Sequence, residues 1–322
     1  MHKLVKRLFS TIFLVFIIAS AVWGYTLTRE DSSSSLETIT IGYQAGDPID
    51  IAKTRGQFIK KMKKAGYKVV FKQFQNGSAE MEALASGNID YARTGDTPPV
   101  TALASGSSIT FVAAGSSKAK GSGIVATKSS GIKSISDLKG KKIAYTSNTS
   151  SQYMIMQVLK KAGLSTSDVT LVDMSQSDAS VAFAKGKIDA WTNWDPYTSS
   201  AELTYSGAMI VTGTTVGASN RDYIISGSYA KNHPAASKAL IKYLGQDMTW
   251  ANTHKTKLVK MMTKSLKLPK KVVERMVNRR SYSLKAVSTK ATSEEQAISD
   301  SFYTDGITKK KVKISKYVLN LK

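Results

Sequence analysis

The chain has 322 residues, 42% hydrophobic and 21% charged, with 46 Lys and Arg against 23 Asp and Glu for a formal charge of +23. That is length for two domains with real cores, and the composition excludes both a disordered chain and a multi-span membrane protein. Absence of Cys excludes disulfides, thiol catalysis, thiolate metal sites and a Cys-linked lipid anchor, while three His (His2, His233, His254) leave little for a metal site or a Ser-His-Asp triad.

Met1–Arg7 is basic, and Leu8–Gly24 is apolar apart from Ser10, Thr11 and Ser20. Together they predict an export signal, with small residues near Ala19, Ala21 and Gly24 for cleavage, or an uncleaved membrane anchor. Residues 25–37, with four consecutive Ser at 32–35, read as a linker. Either way the folded part is expected outside the cytoplasm.

Ile39–Gln44 reads as the first strand and ends in the turn Gly46-Asp47-Pro48. Ile51–Ala65 carries one helical pattern closed by Gly66, and Lys68–Phe71 is a second strand. Ser78–Pro98 then reads S-A-E-M-E-A-L-A-S-G-N-I-D-Y-A-R-T-G-D-T-P, and it has an echo ninety-nine positions later. Ser78, Ala85, Gly87, Ile89-Asp90 and Asp96 match Ser177, Ala184, Gly186, Ile188-Asp189 and Asp195, with one gap before Pro196. Each copy has helical apolar spacing (Met81, Leu84, Ala85; Val181, Phe183, Ala184), a Gly that ends the helix, and an apolar strand. Two similar α/β lobes follow, with Thr94-Gly95-Asp96 and Asn193-Trp194-Asp195 at the rims of one cleft, because ligands of open α/β sheets bind beyond the carboxyl ends of strands.

Between the copies come a helix ending at Gly106, the strand Ile109–Ala114 with its polar end Gly115-Ser116-Ser117, and strands around Ile124–Thr127 and Ile143–Tyr145. Ser147–Gln152 precedes the apolar helical run Tyr153–Ala162 and is the best anion-site candidate, since hydroxyls and amides cap a helix start whose free N–H groups and dipole favour negative charge. Strand-like runs from Met209 to Ile225 cross back to the first lobe, and helices follow over about 233–252, 257–266, 269–279 and 292–303. Basic residues between Lys255 and Lys290 recur among Leu258, Val259, Met262 and Val272, the pattern of wet faces of amphipathic helices. A solvated face is therefore the main reading of the charge, ahead of attraction to an anionic envelope; no basic aromatic motif supports nucleic acid. Residues 38–125 and 216–322 are assigned to lobe 1 and 126–215 to lobe 2.

The stretches Gly42-Tyr43-Gln44, Leu84–Asp90, Thr94–Pro99, Ile135–Lys142 and Trp191–Tyr197 resemble, in order and spacing, the aliphatic sulfonate-binding proteins of bacterial ABC importers, which belong with taurine- and nitrate-binding relatives. The resemblance runs from about Ile39 to Tyr303. It implies a two-lobed type II periplasmic-binding-protein fold, a monomer without cofactor or catalysis, a small anionic ligand and an ABC permease as partner. The ligand contacts it implies are Gln44, Thr94, Gly95, Asp96, Ser116, Thr149, Ser150, Ser151, Trp194 and Asp195. Thr149–Tyr153 departs from the Gly-Ser-Ser and His-Asn pattern common in the family, and Asp47-Pro48 is closer to the taurine-binding pattern. Taurine, nitrate or another small anion is the alternative ligand. A thiamine-pyrimidine enzyme on the same fold is the more distant one, opposed by zero Cys and an export segment.

The chemistry suits these residues. A sulfonate has no proton to donate, so its oxygens need hydroxyl, amide and N–H donors. Trp194 offers an alkyl chain a flat wall, unless it is a core aromatic like Trp191. Asp96 and Asp195 would repel a sulfonate, so they are expected to hold turns or to meet an amine on the ligand. Arg221 is left between pairing with the ligand or a carboxylate and a surface role.

Overall fold

The computed structural model describes residues 36–321. The leader expected over Met1–Gly24, and the linker as far as residue 35, lie outside the described residues. Within the linker as read, Glu37 already begins the first strand.

Two mixed sheets, each flanked by helices, organise the chain. β1 (Glu37–Tyr43) leads through α1 (Pro48–Arg55) and α2 (Gln57–Lys64) to β2 (Tyr67–Gln73). α3 (Gly77–Ala85), β3 (Tyr91–Thr94), α4 (Thr97–Ala104) and β4 (Thr110–Gly115) follow. β5 (Ser122–Ala126), β6 (Lys142–Tyr145), α5 (Ser150–Ala162), β7 (Thr170–Asp173), α6 (Gln176–Ala184), β8 (Ala190–Trp194), α7 (Tyr197–Leu203) and β9 (Ala208–Thr212) make the second sheet and its helices. β10 (Tyr223–Ser226) returns, followed by α8 (Pro234–Thr253), α9 (Lys255–Leu266), α10 (Lys270–Asn278), β11 (Leu284–Lys285) and α11 (Thr289–Thr304).

Sheet one has the order β11-β4-β10-β3-β1-β2 and sheet two β7-β6-β8-β5-β9. β5 pairs with β8 and β9, so the first crossing between sheets lies before Ser122 rather than at residues 125 and 126. The run expected as one helix over Ile51–Ala65 is two, because Gly56 takes the left-handed conformation (φ 75°) and closes α1 as its C-cap.

The internal echo has a structural counterpart. β3 lies between parallel β1 and antiparallel β10, and β8 between parallel β6 and antiparallel β5, so both copies occupy the same place in their sheets. Gly87 and Gly186 both have positive φ, and the next residue donates back to Ala83 O and Ala182 O, each at 2.9 Å. The paired Asp residues do one job twice. Asp90 accepts from Thr40 N at 2.7 Å and Asp189 from Lys142 N at 2.8 Å, tying the start of each central strand to its parallel neighbour. The apolar spacing is only partly core: Met81, Leu84 and Phe183 are buried, whereas Ala85, Val181 and Ala184 face solvent.

One face of sheet one packs under α1, α2, α8, α9 and α10, around Ile41, Phe58, Leu244 and Met262. Its other face shares a continuous apolar cluster with sheet two through α4, α5 and α11, where the rings of Tyr153 and Phe302 lie 6.1 Å apart. The remaining face of sheet two is built on Trp191, fully buried between Phe183 and Tyr197 with ring centroids 5.9 and 5.6 Å away. Trp191 therefore carries the core role, and Trp194, half-buried, is left to the cleft.

Candidate functional site

The carboxyl ends of β1, β3, β6 and β8 converge on one narrow nook of about 10 Å³. Sheet one contributes Gln44 after β1, Arg93 and Gly95 around the end of β3, and Pro98 in the first turn of α4. Sheet two contributes Thr149 and Ser150 at the start of α5, and Trp194 at the end of β8. Lys118 and Asn220, from the two crossings, complete it with Gly77.

α5 begins here for local reasons. Thr149 is its N-cap, its hydroxyl accepting from Ser151 N at 3.2 Å and donating to Thr146 O at 2.7 Å, while Gln152 Oε1 accepts from Asn148 N at 2.8 Å. Such a cap contributes about 1 kcal/mol. Ser151 is turned inward, donating to Thr192 O at 2.7 Å, so it fastens α5 to β8 rather than facing the nook.

Ser150 reaches across the cleft. Its hydroxyl donates to Asp96 Oδ1 at 2.7 Å, joining sheet two to sheet one. Asp96, buried, also accepts from Thr97 Oγ1, from Ser219 Oγ and from the backbone N–H of Arg221. Burial pushes its carboxyl up, and the Ser150 hydroxyl and Lys118 offset part of that. Asp96 thus accepts from Thr97 in its own turn and, across the cleft, from Ser150, which makes it the acceptor of an interlobe contact. Gly95 makes that contact possible, since a Cβ there would lie 2.6 Å from Ser150 Oγ and 3.1 Å from Asn220 Oδ1.

Asp195 is occupied elsewhere. It accepts from Ser199 N at 3.0 Å and Ser199 Oγ at 2.6 Å, which holds the turn into α7, and from Arg279 Nε and a terminal nitrogen at 2.8 and 2.9 Å. Arg279 also pairs with Glu202 at 2.9 Å, so the end of α10 is clamped to α7. Arg221 spends its guanidinium on Glu294 and the Gly115 carbonyl. Ser116 is bonded to Ser283 at 2.9 Å, and Thr94 faces Gly77, whose Cβ position its hydroxyl fills. Of the residues expected at the site, the structure brings Gln44, Gly95, Thr149, Ser150 and Trp194 to the nook, with Asp96 directly behind. Thr94, Ser151 and Asp195 support the walls from outside it, and Ser116, bonded to Ser283, does not line it.

Sequence reasoning missed Arg93, Lys118 and Asn220. The available signal was a single cation inside the otherwise uncharged strand Tyr91–Thr94, and a Lys directly after the polar end Gly115-Ser116-Ser117 of β4. Arg93 and Lys118 are both buried among Asp47, Glu80, Asp96 and Asp222. Gln44 donates to Glu80 at 2.9 Å and to Arg93 O at 3.3 Å, so its amide is fixed by this cluster.

Beyond Trp194 the nook gives way to a groove of about 420 Å³, which Gln44 and Trp194 also line. Phe74, Pro196 and Tyr197 give it apolar surface, and Gln73, Gln75 and Ser177 polar surface. Ser177 Oγ donates to Gln75 Oε1 at 3.3 Å across its mouth.

The sequence model of the family described as NMT1/THI5 like matches residues 48–256. The chain is 29% identical over 284 residues to an aliphatic sulfonates-binding protein of Escherichia coli K12, covering 88% of this chain and 89% of that one. It is 26% identical over 209 residues to the taurine-binding periplasmic protein of the same organism, covering 63% of each. The alkanesulfonate-binding protein SsuA from Xanthomonas axonopodis pv. citri, solved bound to MOPS, superposes with a TM-score of 0.84 at 29% identity, over 89% of this chain and 99% of that one.

Proposed function

This chain belongs to the NMT1/THI5-like family, and from that membership and the chemistry of the cleft we propose that it is the extracytoplasmic solute-binding protein of an ABC importer. It holds an aliphatic sulfonate between its two lobes and hands it to a membrane permease without turning it over. The names of its sulfonate- and taurine-binding relatives support the ligand class.

The observation that carries the reading is the division of the cleft. A nook walled by the Thr149 and Ser150 hydroxyls at the start of a 13-residue helix opens past Trp194 into a groove of about 420 Å³ with aromatic and amide walls. The positive end of a helix suits an anion that only accepts hydrogen bonds, the Ser150 hydroxyl can donate to it once its bond to Asp96 opens, and a flat indole suits a short alkyl chain. At about 10 Å³ the nook has room for about one water, so a sulfonate enters only when the lobes part. Closure around it, with the side chains of the nook displaced to make room, then removes the headgroup from water and strengthens each contact to it.

In this reading Gln44, Gly95, Thr149, Ser150 and Trp194 touch the ligand, and Thr94, Asp96, Ser151 and Asp195 hold those residues in place. Export or anchoring by Met1–Gly24 and action as a monomer belong to the same proposal. Among the described residues no helix is long and apolar enough to cross a membrane.

Thermal unfolding against ethanesulfonate, longer alkanesulfonates, taurine, nitrate, sulfate and a thiamine pyrimidine precursor tests it. A ligand at 100 times its Kd adds about 2.7 kcal/mol to the stability of the state that binds it. Alkanesulfonates should raise the melting temperature, and a stronger response to taurine would narrow the ligand within the class. A response to nitrate or the pyrimidine alone, or to nothing, would refute the sulfonate reading.

A further inference from the structure

The floor of the cleft is made by the two crossings between the sheets, which run side by side. Lys118 N donates to Ser219 O at 2.9 Å, and the Asn220 amide donates to Ser122 Oγ at 2.7 Å. In a hinged two-lobed protein the crossings absorb the motion and stay put while the lobes swing. Lys118 stands on this floor, buried, and lines the nook opposite Thr149 and Ser150.

We propose that Lys118 is the counter-ion of the ligand's anionic headgroup and thereby a specificity-determining residue that selects ionised heads over neutral ones. This rests on the solute-binding reading above and deepens it.

The arrangement of charge points to Lys118 rather than to its neighbours. One carboxylate, Asp222, is shared by three cations: Lys118 at 2.7 Å, Arg280 at 2.7 Å, and Arg93. Arg93 is held from a second side by Asp47 at 3.5 Å, and Arg280 lies over the ring of Tyr282 outside the nook. Of the two cations on the nook wall, Arg93 is braced between Asp222 and Asp47, whereas the ion pair of Lys118 is to Asp222, which two other cations also satisfy. Lys118 can turn to an incoming anion while Asp222 keeps Arg93 and Arg280. Asp96 also faces it, but that carboxylate is already engaged by four donors. Glu80, which accepts from Gln44 at 2.9 Å, is pushed well above the usual carboxylate range by burial. Burial, then Arg93 and Arg280, depress Lys118 well below the ordinary lysine range. An anion in the nook opposes that depression, so binding favours the charged form of Lys118.

The lobes thus divide the work. Thr149 and Ser150, which any polar head can satisfy, move with sheet two, and the charge waits on the hinge.

Titration calorimetry of the full chain with butanesulfonate and with the neutral isostere butyl methyl sulfone tests this for the wild type and Lys118→Met. The wild type should favour the sulfonate by about 30-fold or more. Lys118→Met should lose about 30-fold in sulfonate affinity while its affinity for the sulfone stays within about twofold, so that the preference disappears. Wild-type binding of butanesulfonate with an indifferent Lys118→Met overturns the role of Lys118 alone. Should Lys118→Met not fold, Lys118→Gln takes its place in the same comparison, where a retained sulfonate preference overturns the role and a lost one upholds it, and equal wild-type affinity for sulfone and sulfonate overturns it in either case. Absence of any sulfonate binding by the wild type overturns the functional reading, and this inference with it.

Discussion

Gly95→Ala isolates the closed cleft from the fold. The Gly95 φ lies outside the left-handed region, so Ala costs the backbone nothing there. Its methyl, however, would stand 2.6 Å from Ser150 Oγ, about 0.8 Å inside the 3.4 Å at which ordinary contact begins. Relief comes in one of two ways. If Ser150 rotates, its hydrogen bond to the buried Asp96 carboxylate is lost, at about 1.5–3 kcal/mol for a charged acceptor. If Ser150 stays, the lobes cannot close fully and the ligand keeps water. Either route penalises the closed, liganded state by about 2 kcal/mol, or about 30-fold in Kd, because a ligand that needs a disfavoured state binds more weakly in proportion. Each lobe's own core is untouched, so unfolding of the ligand-free protein should shift by no more than the lost interlobe bond. Calorimetric titration with an alkanesulfonate, beside a urea melt of the free protein, reads both numbers. A Kd within twofold of wild type would show that the Gly95–Ser150 approach has no part in binding.

Arg279→Leu leaves Asp195 without a cation and Glu202 with Arg275 alone, and because the Arg279, Asp195 and Glu202 side chains are at most 15% exposed the cost should be about 2–4 kcal/mol in a urea melt; a change under about 0.5 kcal/mol would remove the clamp. Trp194→Ala should weaken longer alkanesulfonates more than ethanesulfonate, by up to about 0.8 kcal/mol per methylene that the indole covers, and a loss independent of chain length would refute the wall. Asp47, pushed up to about 6 by burial against the opposing pull of Arg93 and two backbone N–H groups, binds protons more tightly folded than unfolded. Its contribution to stability is therefore full below about pH 4 and lost as pH rises through about 6, a swing of about 3 kcal/mol that Asp47→Asn should remove. Urea midpoints at pH 4.5 and 7 compare the two slopes, and equal slopes would place the titration elsewhere.

The Asp residues of the echo mark where local reasoning succeeds and where it stops. Ile89-Asp90 and Ile188-Asp189 share spacing and, in the structure, the same bond to a neighbouring strand. Asp96 and Asp195 share spacing as closely, yet one accepts from Ser150 across the cleft and the other from Arg279 on α10. The first pair answers to its own strand and the next one, which any copy of the unit provides. The second pair sits where the chain leaves the sheet, and its partners come from segments 54 and 84 residues away.

By itself the sequence determined two α/β units of one design, the helix start at Thr149 and the polar strand ends that meet at a cleft, because caps, glycine stops and apolar periodicity act over one or two turns of chain. Only the tertiary structure decided that Trp191 is core and Trp194 cleft, that Ser116 turns to Ser283, and that Arg93, Lys118 and Arg280 share Asp222. The physical reason is range. A buried charge is tolerable only with a counter-charge beside it, and which counter-charge arrives depends on how two sheets and two crossings close on one another, a relation between distant segments that no local pattern encodes.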